Sequence, residues 1–430
     1  METSPVPESS PSAGERIRSL ILLGTAIGLY FLAMFQRIVV PGSIFSELQA
    51  DLNVSAAAVT GLGAAFMYAY AATQLFTGIL SDKFGGYRVI TVGAVLFCLG
   101  SLLFPLCRSI PPLLYVCRAV TGIGAGTIFL SVVKEIQRAF PSSFGPVVGL
   151  AIMIGCGGAI TASGPFVLMV RGTGWNAGLI AAGAVTALVT LLFLGLRFTI
   201  RMPAPTGIRF RIQSFLPAMK KRHNWRIFLM TGISMAIYYS FQTLLGKKFL
   251  EDYCSMSAVT AGWVLAAAWI LAAAANFGMP LLSRLIGERR KPFMLFMAIG
   301  TLISSGGLIP ALVFEWRMPW FFISLFILLA VCSNMSPVFL SILRETNPAD
   351  NLGICASLSN FVPFALIALL GNLAGFLMEL FEPAITDEGI RVYGTQSYIA
   401  VFLLYTLFAL AGLFLAFGIR ETRGQHLDVD

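Results

Sequence analysis

Charge is scarce in this chain: Asp, Glu, Lys and Arg make up only 11% of its 430 residues, and the mean hydropathy is +0.84. A water-soluble domain carries about 25% charged residues because its surface faces solvent. The composition therefore excludes a water-covered globule and calls for lipid over most of the outside. Histidine is nearly missing, with His223 and His426 alone, both in polar segments. That excludes a histidine-rich metal site and a histidine proton relay within the membrane. Seven cysteines are an odd number without CxxC spacing, most of them inside apolar runs, so they read as small packing residues. No nucleophile–base constellation, metal cluster or phosphate loop is visible, and neither enzymatic activity nor a cofactor is expected.

Long apolar runs are what the chain has in plenty. A hydrocarbon core of about 30 Å needs about 20 helical residues. On that scale the runs predict spans near 18–40, 56–80, 88–106, 112–134, 145–170 and 176–197, then 226–246, 258–283, 292–313, 318–343, 353–380 and 396–419. The fold class is thus all-α integral membrane, twelve transmembrane helices in two six-helix bundles, residues 18–197 and 226–419. A Pro- and Ser-rich stretch, 1–17, reads as disordered. A basic linker, 198–225, joins the bundles, and 420–430 forms a tail. Six Lys and Arg residues fall in one set of loops (Arg108, Arg171, Lys247, Lys248, Arg317 and Arg391), and Arg37 and Arg118 fall within spans. The other 21 of the 29 lie on the opposite side. The positive-inside rule puts both termini in the cytoplasm, and the short loops suit a bacterial inner membrane. The net charge of +9 then reflects anchoring to lipid headgroups; nucleic acid is not an expected partner, and a monomer is expected.

The chain also repeats itself. Phe35-Gln36 near the end of the first span corresponds to Phe241-Gln242 near the end of the seventh. Leu52-Asn53-Val54-Ser55-Ala56 precedes span two as Cys254-Ser255-Met256-Ser257-Ala258 precedes span eight. Repeated halves of this kind place a binding site near the bilayer midplane between them, with alternating access by rocking.

The loop after span two reads Gly78-Ile-Leu-Ser-Asp82-Lys83-Phe-Gly85-Gly86-Tyr-Arg88. It resembles the GxxxD(R/K)xGxxR loop of the major facilitator superfamily. Arg118-Ala-Val-Thr-Gly122-Ile-Gly124 is similar to that family's fourth-helix RxxxGxG pattern, and Gly164-Pro165 and Gly174-Trp175-Asn176 fit it too. The resemblance implies a small-solute transporter. It also implies a latch formed by Gly78, Asp82, Lys83, Gly85 and Arg88, in which Asp82 accepts hydrogen bonds from a neighbouring helix N-terminus. The second copy, Ser283-Arg284, lacks the aspartate and is expected to latch more weakly.

Phe35-Gln36-Arg37 in span one and Phe66-Met-Tyr68-Ala-Tyr70-Ala-Ala-Thr-Gln74 in span two resemble the anion:cation symporter branch, which handles organic anions, sugar acids and phosphate. There the span-one arginine contacts the substrate carboxylate. A charged residue within a span costs about 2.5–3.5 kcal/mol on insertion scales, so it should face a polar cavity. Arg37 and Arg118 are accordingly substrate-binding candidates, against snorkelling for Arg37 and a structural strut for Arg118. Tyr68, Tyr70 and Gln74 could supply hydrogen bonds, with Gln36, Tyr238, Tyr239, Gln242, Asn334 and Asn360 behind them.

Two acids of that branch are missing. Gln36 stands where an acid often precedes the arginine, and Ala125 where a glutamate often follows Arg118 by seven residues. No acid falls in the middle third of any expected span. Facilitated diffusion, anion exchange or a substrate-borne proton is then expected, with Glu135 as the fallback proton carrier or, more simply, half of a surface pair with Lys134 or Arg138. A co-transported cation stays open. The rival reading is an exporter of the same fold for drugs, metabolites or a carboxylate siderophore. Gly155-Cys-Gly157-Gly158 and Gly164-Pro165 partly fit an exporter's fifth-helix GPxxGG motif, but Phe166-Val-Leu-Met169 breaks its end. A membrane sensor is disfavoured because no large soluble segment is present.

Overall fold

The computed structural model describes residues 13–199, 216–348, 351–386 and 390–427. Residues 1–12 of the expected disordered start, most of the linker and the last three residues lie outside the described residues, whereas 13–17, also expected to be disordered, are helical, because the first helix already begins at Ala13. Among the described residues, twelve helices are long and apolar enough to cross a membrane. They are α1 Ile17–Ser43, α2 Ala56–Phe84, α3 Gly86–Leu106, α4 Pro111–Ala139, α5 Phe144–Thr173 and α6 Trp175–Phe198. The second half has α7 Arg222–Asp252, α8 Ala258–Leu285, α9 Lys291–Val313, α10 Pro319–Thr346, α11 Leu352–Met378 and α12 Thr395–Phe417. The protein is an integral, multi-pass membrane protein. α2 and α4 run past their expected ends, with Asp82 and Lys83 in the first and Glu135 and Arg138 in the second still helical.

The two repeated Ser-Ala segments are helix starts. Ser55 Oγ accepts the N–H of Ala58 at 3.1 Å, and Ser257 Oγ accepts that of Thr260 at 3.1 Å. A side-chain acceptor at this position satisfies one of the free N–H groups of the first turn. The repeat thus preserves a cap in each half.

Five spans are interrupted, α9 only by the single turn residue Gly307. In α1 the regular helix ends at Ile38, and Val39–Ser43 forms a π turn in which Val40 is non-helical, with φ −115° and ψ 114°. Pro41, having no N–H, cannot restore the ladder. A π turn at Phe241–Leu245 interrupts α7. In α5 the break falls at Ser163, just before Gly164-Pro165, and in α10 at Asn334. Broken helices survive in lipid only where protein or a cavity satisfies the freed backbone.

The bundle has a basic end, with Lys83, Arg88, Lys134 and Arg138, and a distal end opposite. Hydrogen bonds and ion pairs between the halves gather at the distal end. Lys247 Nζ lies 3.3 Å from Glu47 and 3.1 Å from Glu251, and Ser46 Oγ donates to Glu251 at 3.0 Å. Gln49 Nε2 donates to the Tyr393 hydroxyl at 2.8 Å, and Glu379 accepts the Ala57 N–H at 3.0 Å. The short hairpin of β1 Ala384–Ile385 and β2 Arg391–Val392 carries this Tyr393 contact. The distal end is closed.

Closure brings the two π turns into backbone contact. A Cβ on Gly42 would stand 2.6 Å from the Thr243 carbonyl oxygen, so only glycine fits while the distal end is shut. Gly42→Ala is therefore expected to favour the distal-open state. A cysteine placed at Ser46 should then alkylate several-fold faster than in the Gly42 parent; equal rates would overturn the gating role. Burial pushes the nearby Cys254 thiol up to about 12, so it stays protonated at pH 8 and alkylates slowly, since the thiolate is the nucleophile.

Candidate substrate-binding site

Between the halves, α1, α2, α7, α8 and α11 converge on the Arg37 side chain, which is 4% exposed. It does not snorkel to the distal surface. Its guanidinium carbon sits 4.3 Å from the centre of the Tyr70 ring and 4.8 Å from that of Phe364. Tyr70 meets Phe364 edge-on at 4.6 Å, and Tyr239 packs on Phe364 at 6.1 Å and on Trp269 at 5.6 Å. The hydroxyls of Tyr70, Tyr239 and Tyr30 are its electrostatic neighbours. Among the described residues no carboxylate pairs with Arg37, and its Nε has no hydrogen-bond partner.

The magnitudes decide what this means. A desolvated cation–π contact contributes about 2 kcal/mol, whereas an unpaired buried ion costs several kcal/mol even after relaxation. The aromatic box therefore leaves the guanidinium under-compensated. Its planar fork matches a carboxylate or phosphate. The Tyr238 hydroxyl and Trp269 Nε1, whose rings lie 5.6 Å apart, are also buried without partners. Buried polar groups are normally paired, so each such group calls for a ligand or water.

The remaining candidates divide. Gln36 Nε2 and Gln242 Oε1 are buried and unpartnered beside the breaks of α1 and α7, but neither bonds to the box. Gln74 turns to α4, where its Nε2 donates to the Gly126 carbonyl at 3.1 Å. Asn334 Nδ2 donates to the Ala330 carbonyl at 2.9 Å, closing the break in α10. Asn360 is half-buried on α11, one turn before Phe364. Tyr68 is 43% exposed and falls with Ala72, Phe76 and Leu80 on the exposed, apolar face of α2. The structure thus turns it away from the box, because 68 and 70 lie about 200° apart on a helix.

Arg118 is the strut. Its Nη2 donates to the Val40 carbonyl at 2.7 Å, Nη1 to that of Gln36 at 3.2 Å and Nε to that of Leu62 at 3.4 Å. Two of these carbonyls flank the break in α1, so the side chain supplies donors where the helix ladder is interrupted. Gly122 makes this reach possible, since a Cβ there would stand 2.4 Å from the Phe66 carbonyl oxygen. The RxxxGxG pattern is thereby explained as a close α2–α4 approach carrying a clamp onto α1. With these three donors engaged, Arg118 is not brought to the aromatic box.

At the basic end, Asp82 pairs with Lys134 of α4 at 2.6 Å. Arg88 Nη1 donates to the Phe84 carbonyl at 3.0 Å, Lys83 lies 5.0 Å from the Phe84 ring centre, Gly78 faces Ser357 of α11, and Gly85 turns the chain with φ +85°. The cap expected of Asp82 comes from Glu135, whose Oε1 accepts the Tyr87 N–H at 3.1 Å at the start of α3. A carboxylate is favoured there by the helix dipole. Glu135 is 4% exposed, a buried cap that also lies 3.9 Å from Arg138, the second of its two expected partners, while Lys134 goes to Asp82. The second half, lacking the aspartate, uses Arg290 instead, which donates to Ser283 Oγ at 2.8 Å and to Glu345 at 3.0 Å.

Trp269 and Phe364 were not anticipated from sequence. Trp269 follows Ala266-Ala-Ala, and one bulky ring after a run of alanines is the signal that marks it. Phe364 carries none, because it is one of many large apolar residues along α11.

Residues 26–371 match the Major Facilitator Superfamily profile. The chain belongs to that family. It resembles a probable sulfoacetate transporter of Cupriavidus necator, 30% identical over 40% of this chain and 40% of that protein. A riboflavin transporter of Clostridioides difficile is 24% identical over 55% of this chain and 53% of its own. A tetracenomycin C resistance and export protein of Streptomyces glaucescens is 30% identical over 39% and 31%. The chain therefore matches about half or less of each curated relative's length. Among solved structures, a D-xylose–proton symporter superposes with a TM-score of 0.70 at 17% identity, over 96% of this chain and 100% of that one. That likeness concerns the fold.

Proposed function

We propose that this family member carries a small organic anion bearing a carboxylate or phosphate group across the bacterial inner membrane by alternating access, with the basic end in the cytoplasm. One observation carries the reading: Arg37 is buried between the halves in an aromatic box, with no carboxylate partner among the described residues. The substrate anion then supplies the missing negative charge, and Tyr70, Tyr239, Tyr238 and Trp269 supply ring faces and donors around it. The sulfoacetate relative, whose named substrate is an organic anion, is consistent with this. Thermal-shift screening of the purified protein against carboxylates, phosphates and cationic drugs tests it, because a ligand that binds the folded state raises the melting temperature. Stabilisation by anions that is equal in wild type and Arg37→Ala would sink it.

The aromatic lining and the tetracenomycin relative favour one second reading, export of an aromatic solute. Stabilisation by lipophilic cations alone would select that.

No acid reaches the box among the described residues, so the site itself has no proton carrier. Exchange, facilitated diffusion or a proton carried on the substrate follows. Glu135→Gln is expected to leave the response to an imposed pH gradient in proteoliposomes unchanged. It should lower stability by about 1 kcal/mol, the usual worth of a cap. A gradient requirement abolished by that change would refute the proposal.

A further inference from the structure

At the basic end the second half encloses a separate cavity of about 380 Å³, within the size range of small-ligand sites. Its walls come from three separate segments. Arg284 ends α8, Arg290 precedes α9, Ser341, Arg344 and Glu345 belong to α10, and Arg423 belongs to the segment after α12. That last segment is docked by specific bonds. Glu421 accepts the N–H groups of Arg290 and Lys291 at 2.8 and 3.0 Å. The Leu427 N–H donates to the Glu345 carbonyl at 2.8 Å.

The charges in the cavity do not cancel. Both Glu345 carboxylate oxygens are engaged, one by Arg290 and the other by the Thr422 hydroxyl, and Glu288 pairs with Arg290. The side chains of Arg284, Arg344 and Arg423 form no ion pair or hydrogen bond among the described residues. Arg290, 6% exposed, keeps its Nε buried and unpartnered while lining the same space. Four arginines against two glutamates leave the lining a net charge of +2, and the exposed guanidiniums of Arg284, Arg344 and Arg423 are free to take up one anion together. A carboxylate offers two oxygens and one charge. A phosphate monoester carries about −1.5 to −2 with three acceptor oxygens, and suits several arginine forks at once.

We propose that this cavity is a phosphate-binding site, distinct from the Arg37 site, which ties the 421–427 segment to the ends of α8 and α10. The phosphomonoester group is shared by a soluble phosphate ester and the headgroup of phosphatidic acid, and the test separates them. Full-length protein in phosphatidylcholine nanodiscs is titrated calorimetrically with glycerol 3-phosphate, with glycerol as the uncharged control. A parallel sample in mixed phosphatidylcholine and phosphatidic acid is examined by native mass spectrometry for retained anionic lipid.

Arg37→Ala, which removes the other anion site proposed above, should still bind the phosphate probe. The exposed double substitution Arg344→Gln/Arg423→Gln should weaken it by about tenfold or more, as expected for lost charge-assisted bonds. Binding of glycerol 3-phosphate identifies a soluble ester as ligand. Retention of phosphatidic acid alone, lost in the double variant, identifies the headgroup. The proposal is overturned if neither probe binds wild type, if the double variant binds as tightly, or if binding disappears with Arg37→Ala. Arg284→Gln, made separately, repeats the test should the double variant not remain monodisperse.

Discussion

Arg37→Ala is expected to reduce transport by at least about 100-fold and to leave the melting temperature of the empty protein unchanged or higher. The two effects have one cause. With an anionic substrate bound as proposed, Arg37 would be half of a buried charge pair, and truncating one partner of such a pair costs about 2–5 kcal/mol. Without substrate it is a cation held by ring faces at 4.3 and 4.8 Å and by the Tyr70 and Tyr239 hydroxyls, neutral groups that offset part of its desolvation. Removing it from the empty protein therefore relieves a cost. Arg37→Lys keeps the charge but not the fork and should fall between, since a bidentate site does not treat the two alike. Uptake of an anion identified by the thermal-shift screen, beside melting curves with and without it, gives both readings. A melting temperature that drops sharply on Arg37→Ala would mean the guanidinium is structural, and the site would have to be sought elsewhere.

Arg118→Leu should show the opposite sign: a clear loss of thermal stability with or without ligand. The three carbonyls it now satisfies, at Gln36, Val40 and Leu62, would be left without donors. An unsatisfied buried group costs about 1–3 kcal/mol. Part of that is offset by no longer burying a cation, so a net loss of about 3 kcal/mol is expected. Transport should fall as well, because the break in α1 is what places Arg37, but the anion affinity of the protein that stays folded should change less than in Arg37→Ala. If Arg118→Leu melts like wild type yet loses anion binding, Arg118 contacts substrate and the strut assignment fails. Both substitutions remove an arginine buried to within 4% exposure from the same half. Only the partners of each guanidinium separate the outcomes.

Those partners were not legible in sequence. Composition and run length reach the twelve spans because lipid imposes a one-dimensional rule: about 20 apolar residues for each crossing. The internal repeat and the Gly78–Arg88 loop reach the family for a related reason, since a tight turn between packed helices needs particular residues at particular spacing. Neither says which way a side chain points. Tyr68 and Tyr70 are two residues apart in one motif, yet one lies on the exposed face of α2 and the other covers Arg37. Asp82 and Glu135 traded expected roles because the cap of α3 is provided across space by α4, 48 residues away. The distal closure likewise joins Glu47 to Lys247, 200 residues apart.

By itself, then, the amino-acid order determined the solvent, the number of crossings, the two-fold internal repeat and the two arginines that no acid within a span could neutralise. Each follows from local quantities: hydropathy over a window, charge count, residue spacing. The tertiary structure alone decided which arginine is free. In a broken helix the unsatisfied carbonyls draw the nearest guanidinium, and α4 holds Arg118 there through the close approach at Gly122. Arg37, ringed by aromatics from both halves, is left with a charge that nothing among the described residues cancels.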